Sequence, residues 1–305
     1  MSIYTKSGFD RLKTHGFLEL TRQAVRFTIA DDEVIFLQKR LLAVDIDGTL
    51  VNDDKVLLPQ TARDISEFME RGGVLVLATG RPTPGVRRYI DELALPTRGG
   101  YVISYNGART FYPREARAFT EKNVPPSTYP RILDAAQKLD LPLTAYRDDV
   151  AVTEKADDRY FRMETTINGL VIDRVPSLRE ALTFSTPKFL ITGEPAFLET
   201  AEIQLRNALK DLPVAVFRSE PCFLEITARG CDKGAAILEL ARLLGISPEE
   251  TMACGDGYND VTMLSAVGLG VAMANARTPA KAAADVVTLS NNENGVGAAI
   301  RRYAL

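Results

Sequence analysis

The chain has 305 residues, 46% of them hydrophobic and 25% charged, an ordinary globular composition with room for one large domain or two modest ones. Its 37 basic residues stand against 40 acidic ones, a formal net charge of −3. No basic surplus points to nucleic acid, and no basic amphipathic tract points to a membrane surface. Cys222, Cys231 and Cys254 cannot all pair and none sits in a CxxC spacing, so reduced thiols are expected. No stretch approaches the ~20 apolar residues of a spanning helix. Lys6, Asp10, Arg11, Lys13 and Glu19 interrupt any secretory apolar core, so a cytoplasmic protein is the expectation.

Residues 1–40 carry no recognisable motif. Val25, Phe27 and Ile29 alternate, Asp31-Asp32 offers a turn, and apolar residues return at 34–37, a pattern for a hairpin. From Leu41 the pattern becomes α/β. Residues 41–44 form a continuous apolar run ending in Asp45, as in a parallel strand buried on both faces. A helix is expected over 59–71, with Ile65, Phe68 and Met69 on one side, then a second buried strand over 74–78. Pro82 suits the first turn of another helix. Residues 101–104 read as a third strand, followed by the turn signal Asn106-Gly107. After Tyr112 the prolines Pro113, Pro125, Pro126 and Pro130 mark a linker. A helix is expected near 132–139, and strand-like and helix-like pieces then follow in mixed order to about Phe223, at 143–146, 169–175, 188–191, 196–209 and 214–217. That mixture reads as an α+β insertion. The βα rhythm resumes with a helix over 232–244, a strand over 251–254 and a helix over 259–267, and continues through 268–273, 279–284, 285–289 and 294–303. The expectation is a doubly wound, Rossmann-like parallel-sheet core, 41–115 and 224–305, with an inserted α+β cap, 116–223, and an extension over 1–40.

Four segments fall at the C-terminal ends of expected parallel strands, the edge where open α/β sheets bind ligands. In the first, Asp45 and Asp47 flank a tight turn with Gly48. Asp45 could attack phosphorus to form an acyl phosphate, and Asp47 could protonate the leaving oxygen and later deprotonate water. Asp and Gly after a strand are also common turn formers. In the second, Thr79-Gly80-Arg81, a hydroxyl and open N–H groups can hold phosphate oxygens. In the third, Lys233 opens a helix, a position the macrodipole disfavours for a cation, so the lysine points at an anion. It would neutralise Asp45 and phosphoryl oxygens. In the fourth, residues 255–260, Asp256 with Asp45 would supply the carboxylates that Mg²⁺ prefers. Asp256 and Asp260 could equally cap the helix that follows.

These residues, in this order, resemble the haloacid dehalogenase superfamily and, within it, the Cof-type phosphatases. DIDGTL at 45–50, ATGR at 78–81, DKG at 232–234 and GDGYND at 255–260 are similar to the four family motifs, while SYNGA at 104–108 and AMANA at 272–276 resemble further landmarks. The resemblance covers residues 41–305. It implies that Asp45 is nucleophile and metal ligand, and that Asp47 is the acid/base with its backbone carbonyl on the metal. Thr79, Gly80, Lys233 and Asn259 would hold phosphate. Asp256 would bind Mg²⁺ and Asp260 would act from behind it. Residues 48–58 would form a flap, and the insertion a C2-type cap over the substrate. Members usually begin close to the first strand, whereas this chain carries 40 residues ahead of it. Tyr105 also stands in the SYNGA landmark, where it bears on the pocket wall.

The expected activity is Mg²⁺-dependent hydrolysis of a small phosphorylated metabolite, a sugar phosphate by default, by a monomer or dimer. Phosphotransfer to a second sugar hydroxyl, as in a mutase, is the alternative. A phospho-Asp regulatory module fits less well, because Asp47 would hydrolyse a long-lived phospho-aspartate and Thr79 lies far from Lys233 in the chain. Arg109, just before the insertion, and Tyr146, Arg147, Arg159, Arg162 and Lys188 within it are candidates for contact with substrate.

Overall fold

The computed structural model describes residues 38–115 and 117–305, together with the backbone of two short strands, Thr28–Ala30 and Glu33–Ile35. These two pair antiparallel, with Thr28 opposite Ile35. The rest of the alternating stretch at 25–37, and all of 1–27, lie outside the described residues.

The larger sheet has eight strands in the order Val286–Val287, Leu269–Ala272, Thr251–Gly255, Leu41–Val44, Val74–Ala78, Tyr101–Ser104, Arg109–Tyr112 and Arg117–Glu121. Its first six strands are parallel and the last two antiparallel. Leu41 to Val44 have no exposed surface, which explains their unbroken apolar run: helices cover both faces of a doubly wound sheet. From this central strand the chain winds one way through Val74–Ala78 and Tyr101–Ser104. After the insertion it winds the other way through Thr251–Gly255. The C-terminal ends of Leu41–Val44 and its two neighbours therefore meet at the switch point, where such sheets open a crevice.

Local chemistry sets the helices that flank this edge. Pro59 begins Pro59–Glu70, where its missing N–H costs nothing, and Thr61, Asp64, Ile65 and Phe68 form the buried face. The helix Lys233–Leu243 is capped by Asp232, whose carboxylate accepts from Ala235 N–H at 2.9 Å. That cap places Lys233 at the first helical position.

The second sheet has six strands in the order Val171–Arg174, Val150–Thr153, Leu143–Arg147, Lys188–Thr192, Phe223–Ala228 and Val214–Glu220. On one face Phe189, Ile191, Leu224 and Ile226 pack with Ile132, Leu198 and Leu205 of the helices Tyr129–Lys138 and Pro195–Ala208. On the other face Tyr146 and Leu190 pack with Phe161 of the helix Arg159–Asn168 and with Tyr105, Ala108 and Cys231 beside the large sheet.

Several elements differ from the reading of the sequence. The strand Arg109–Tyr112 was not anticipated, Arg117–Glu121 extends the large sheet into what read as a linker, and Phe223–Ala228 belongs to the smaller sheet. Both changes of sheet therefore fall one strand later than 115/116 and 223/224. The prolines at 113, 125 and 126 flank Arg117–Glu121 and do not interrupt it. Val150–Thr153 and the helix Arg159–Asn168 were not anticipated. After Pro82 a 3₁₀ turn, Thr83–Val86, precedes the helix Arg87–Glu92, and Tyr258–Asp260 is likewise a 3₁₀ turn before Val261–Ala266. Among the described residues, no helix is long and apolar enough to cross a membrane.

Candidate active site

Asp45 directly follows Val44, and its N–H donates to Cys254 O at 3.0 Å, which fixes the start of the turn. The turn closes tightly on Asp256. Gly48 has φ 76°, and a Cβ there would stand 2.5 Å from Asp256 Oδ2. Thr49 Oγ1 donates to Asp256 Oδ1 at 2.7 Å. Asn275, in the AMANA segment, donates to Gly48 O at 2.8 Å, and Asn291 donates to Val51 O at 3.0 Å, pinning the chain beyond the turn.

Lys233 is wholly buried between two carboxylates: Nζ donates to Asp45 Oδ1 at 2.5 Å and to Asp260 Oδ1 at 2.7 Å. The other oxygen of Asp260 accepts from the N–H groups of Asp256 and Gly257 at 2.9 and 2.8 Å. Carboxylate oxygens of Asp45, Asp256 and Asp260 lie within 4.8 Å of one another. Thr79 and Gly80 end the neighbouring strand. Thr79 Oγ1 accepts from Arg81 N–H at 3.1 Å, which leaves its own proton free. Asn259 donates through Nδ2 to Asn106 Oδ1 at 2.9 Å. All the residues singled out in the four segments thus gather at one sheet edge.

Three carboxylates around one ammonium leave the cluster with excess negative charge, and the titrations follow. Burial, then the charge of Asp260, raises the Asp45 carboxyl well above its usual range despite Lys233. The same two causes push Asp256 up to about 7, against the hydrogen bond from Thr49. Burial alone would lower the Lys233 ammonium, but the charges of Asp260 and Asp45 outweigh it and raise it. Such a cluster of hard oxygen donors with unbalanced charge fits a hard divalent cation. Asp45 and Asp256 each keep one oxygen that the protein does not hold, whereas both oxygens of Asp260 are committed to protein donors.

Asp47 is in the opposite situation. Its side chain lies outside the cluster, and Arg81 grips it with two parallel bonds, Nε to Oδ2 at 2.6 Å and Nη2 to Oδ1 at 2.7 Å. Lys55 donates to the same Oδ1 at 2.7 Å. Burial pushes this carboxyl up, but the bonds and charge of Arg81, then Lys55, prevail and hold it at about 2.

A family model of haloacid dehalogenase-like hydrolases matches residues 42–300. The chain belongs to that family. A Bacillus subtilis protein named as a phosphatase, YxeH, is 34% identical over 272 residues, covering 87% of this chain and 98% of the relative. The HMP-PP phosphatase of Serratia proteamaculans is 31% identical over 237 residues, 78% of this chain and 84% of its own. A haloacid dehalogenase-like hydrolase from Bacteroides thetaiotaomicron has a crystal structure with TM-score 0.80 at 36% identity, covering 87% of this chain and 99% of that one. A structure described as a HAD subclass IIB sugar phosphatase, BT4131, gives TM-score 0.76 at 26% identity, covering 87% and 98%. The protein is therefore an enzyme, a hydrolase of the HAD phosphatase type.

The candidates for substrate contact, Arg109 on the large sheet and the others in the insertion, are placed differently from the catalytic cluster. Arg109 pairs with Glu121, Arg147 with Asp173 and Arg159 with Glu194, while Arg162 donates to Asp157 O. Tyr146 OH donates to buried Glu164, and Lys188 pairs with Glu225. Each has a protein partner. Arg81, Lys55, Thr49 and Asn106 were given no individual role from the sequence. Arg81 and Asn106 stood within quoted motifs, but nothing local reveals that they contact Asp47 and Asn259.

Proposed function

We propose that the enzyme is a Mg²⁺-dependent phosphomonoesterase that acts on a small phosphorylated metabolite, preferentially a sugar phosphate, through an aspartyl-phosphate on Asp45. The observation that carries this reading is the buried bridge of Lys233 between Asp45 and Asp260, with Asp256 beside it. The names of the similar phosphatases, one a sugar phosphatase, support the substrate class.

Asp45 and Asp256, with the backbone carbonyl of Asp47, would hold the cation. When bound, Mg²⁺ would balance the excess carboxylate charge and that of the incoming phosphate. Lys233, Thr79, the Gly80 N–H and Asn259 would hold the phosphoryl oxygens that Asp45 faces. Asp45 attacks phosphorus, the bond to the leaving oxygen breaks, and a proton from Asp47 goes to that oxygen. Water then attacks phosphorus, Asp47 takes its proton, and the acyl phosphate bond breaks to return Asp45 and inorganic phosphate. Both oxygens of Asp47 are engaged and its carboxyl is held ionised in this structure, so service to a leaving group requires the loss of a contact with Arg81 or Lys55 and the uptake of a proton from solvent first.

The test is phosphate release from a panel of sugar phosphates, nucleotides and phosphorylated cofactors, with Mg²⁺ and with EDTA. Release that needs Mg²⁺ and favours sugar phosphates is expected. Silence across the panel in both conditions would overturn the proposal.

A further inference from the structure

The strongest polar feature outside the catalytic cluster is a buried ion pair on the smaller sheet. Lys188 Nζ donates to Glu225 Oε1 at 2.9 Å, and each residue is only 2% exposed. They sit on adjacent strands and face the large sheet, away from the helices that cover the opposite side. Burying opposite charges is unfavourable unless their remaining bonds are satisfied, and here they are. Glu225 Oε1 also accepts from Ser219 Oγ at 2.7 Å, and Oε2 accepts from Asn106 Nδ2 at 3.0 Å. Lys188 additionally reaches Gly80 O at 3.3 Å and lies over the Tyr146 ring, 5.4 Å from its centroid. Each of these groups is thus already held by protein partners. Two of their partners, Gly80 and Asn106, belong to the large-sheet side of the crevice.

The chemistry of this chain of bonds has a direction. A carboxylate only accepts, so Glu225 obliges Asn106 to turn its Nδ2 toward it. The Oδ1 of Asn106 must then face the other way, where it accepts from Asn259 Nδ2 at 2.9 Å. With one N–H of Asn259 fixed in this way, the direction of its second N–H is fixed as well. Asn106 can occupy this corner because its backbone adopts φ 54°, a conformation that asparagine tolerates, and its Oδ1 lies 2.9 Å from where a Cβ on Gly80 would stand.

Building on the phosphatase reading above, we infer that Lys188 and Glu225 are positioning residues. Through Asn106 they set the amide polarity of Asn259, and through Gly80 O they brace the loop that holds phosphate. They act on the phosphoryl group common to all substrates and do not read the leaving group.

The test uses the full chain with Mg²⁺ and three variants: Lys188→Met, Glu225→Gln and Asn106→Gly. The last removes the amide without straining the backbone, and it carries the test if breaking the buried pair prevents folding. Melting temperature is measured for each. Two readouts follow: kcat/KM on phosphate esters with unlike leaving groups, and inhibition by orthovanadate, which has no leaving group. Loss of an orienting partner of this kind costs about 10- to 100-fold. The expected result is a uniform fall of that size across the esters, with vanadate inhibition weakened in parallel. Unchanged vanadate inhibition, or losses confined to some leaving groups, would overturn the inference and assign the pair to substrate recognition. Folded variants that match the active wild type would overturn it too. A wild-type enzyme inert toward every ester and toward vanadate would instead remove the phosphatase reading, and this inference with it.

Discussion

Lys233→Met preserves the length of the side chain and removes its charge from a site with no exposed surface. Asp260, also fully buried, and Asp45 then face each other and Asp256 without a counter-charge. With all groups ionised, the formal charge of Asp45, Asp256, Asp260 and Lys233 goes from −2 to −3. Removing one partner of a buried pair typically costs about 3–5 kcal/mol. The metal-free variant should therefore be destabilised by about 3–5 kcal/mol in urea denaturation, with an unchanged slope. Mg²⁺ at a hundredfold excess over its dissociation constant should restore about 2.7 kcal/mol by binding the folded state. The turnover number should fall by about 10²–10³, the scale for loss of one donor to developing negative charge. A metal-free variant within about 1 kcal/mol of wild type would refute Lys233 as the counter-charge of the cluster. Turnover within tenfold of wild type would refute its part in phosphoryl stabilisation.

Asp45→Asn should abolish turnover, whereas Asp47→Asn should keep substrate binding and lose about 10²–10⁴ in rate, the usual share of a general acid/base. Steady-state assays check both, and wild-type rates in Asp45→Asn, once deamidation is excluded, would contradict the mechanism. Gly107→Ala should be costly despite its small size. The position has φ 103°, and a Cβ would stand 2.4 Å from the backbone oxygen of Asp232, which caps the helix bearing Lys233. Strain of about 1–3 kcal/mol and reduced turnover should appear together in denaturation and kinetics, and a wild-type turnover number would count against this coupling. Burial pushes the thiols of Cys231 and Cys254 up to about 12 and also raises half-buried Cys222. At pH 8 a disulfide reagent should modify at most Cys222 in the folded protein and all three cysteines in denaturant. Rapid modification of two thiols in the folded state would show that the burial is wrong.

The core of the site was legible because its determinants are local. Asp45, Thr79 and Asp256 each follow a run of apolar residues, and a fully buried parallel strand reads as such a run. Chain order alone then brings the strand ends together at the switch point. The smaller sheet was less legible for a matching reason. Apart from the parallel edge pair Val171–Arg174 and Val150–Thr153, its strands are antiparallel and two-faced, so polar residues can alternate with apolar ones and resemble surface. Phe223 to Thr227 alternates in this way, and only the register with Lys188–Thr192 shows that Glu225 is buried against Lys188, 37 positions away. The fork of Arg81 on Asp47 spans 34 positions and depends on side-chain direction at two turns. Spacing carries neither fact.

The first turn holds two carboxylates two residues apart, and their surroundings push them in opposite directions. Asp45 is raised by burial and then by the like charge of Asp260; Asp47 is lowered by Arg81 and Lys55 against its burial. In the metal-free protein these shifts run opposite to the roles proposed above, because a raised carboxyl suits a proton carrier and a lowered one a nucleophile; a bound cation would lower Asp45, and the loss of a cation from Asp47 would raise it. The two cations that hold Asp47 are not equivalent. Arg81 is nearly buried and bonds also to Gly85 O, so it is anchored to the sheet edge. Lys55 is half exposed, at φ 60°, on the segment that Asn275 and Asn291 tether through Gly48 O and Val51 O. Of the two contacts, that of Lys55 is the one a change in this segment can break without disturbing the sheet. In the proposed reaction, movement of residues 48–58 would therefore take one cation from Asp47, raise its pKa and free an oxygen to carry a proton to the leaving oxygen, while Arg81 keeps the carboxylate in place.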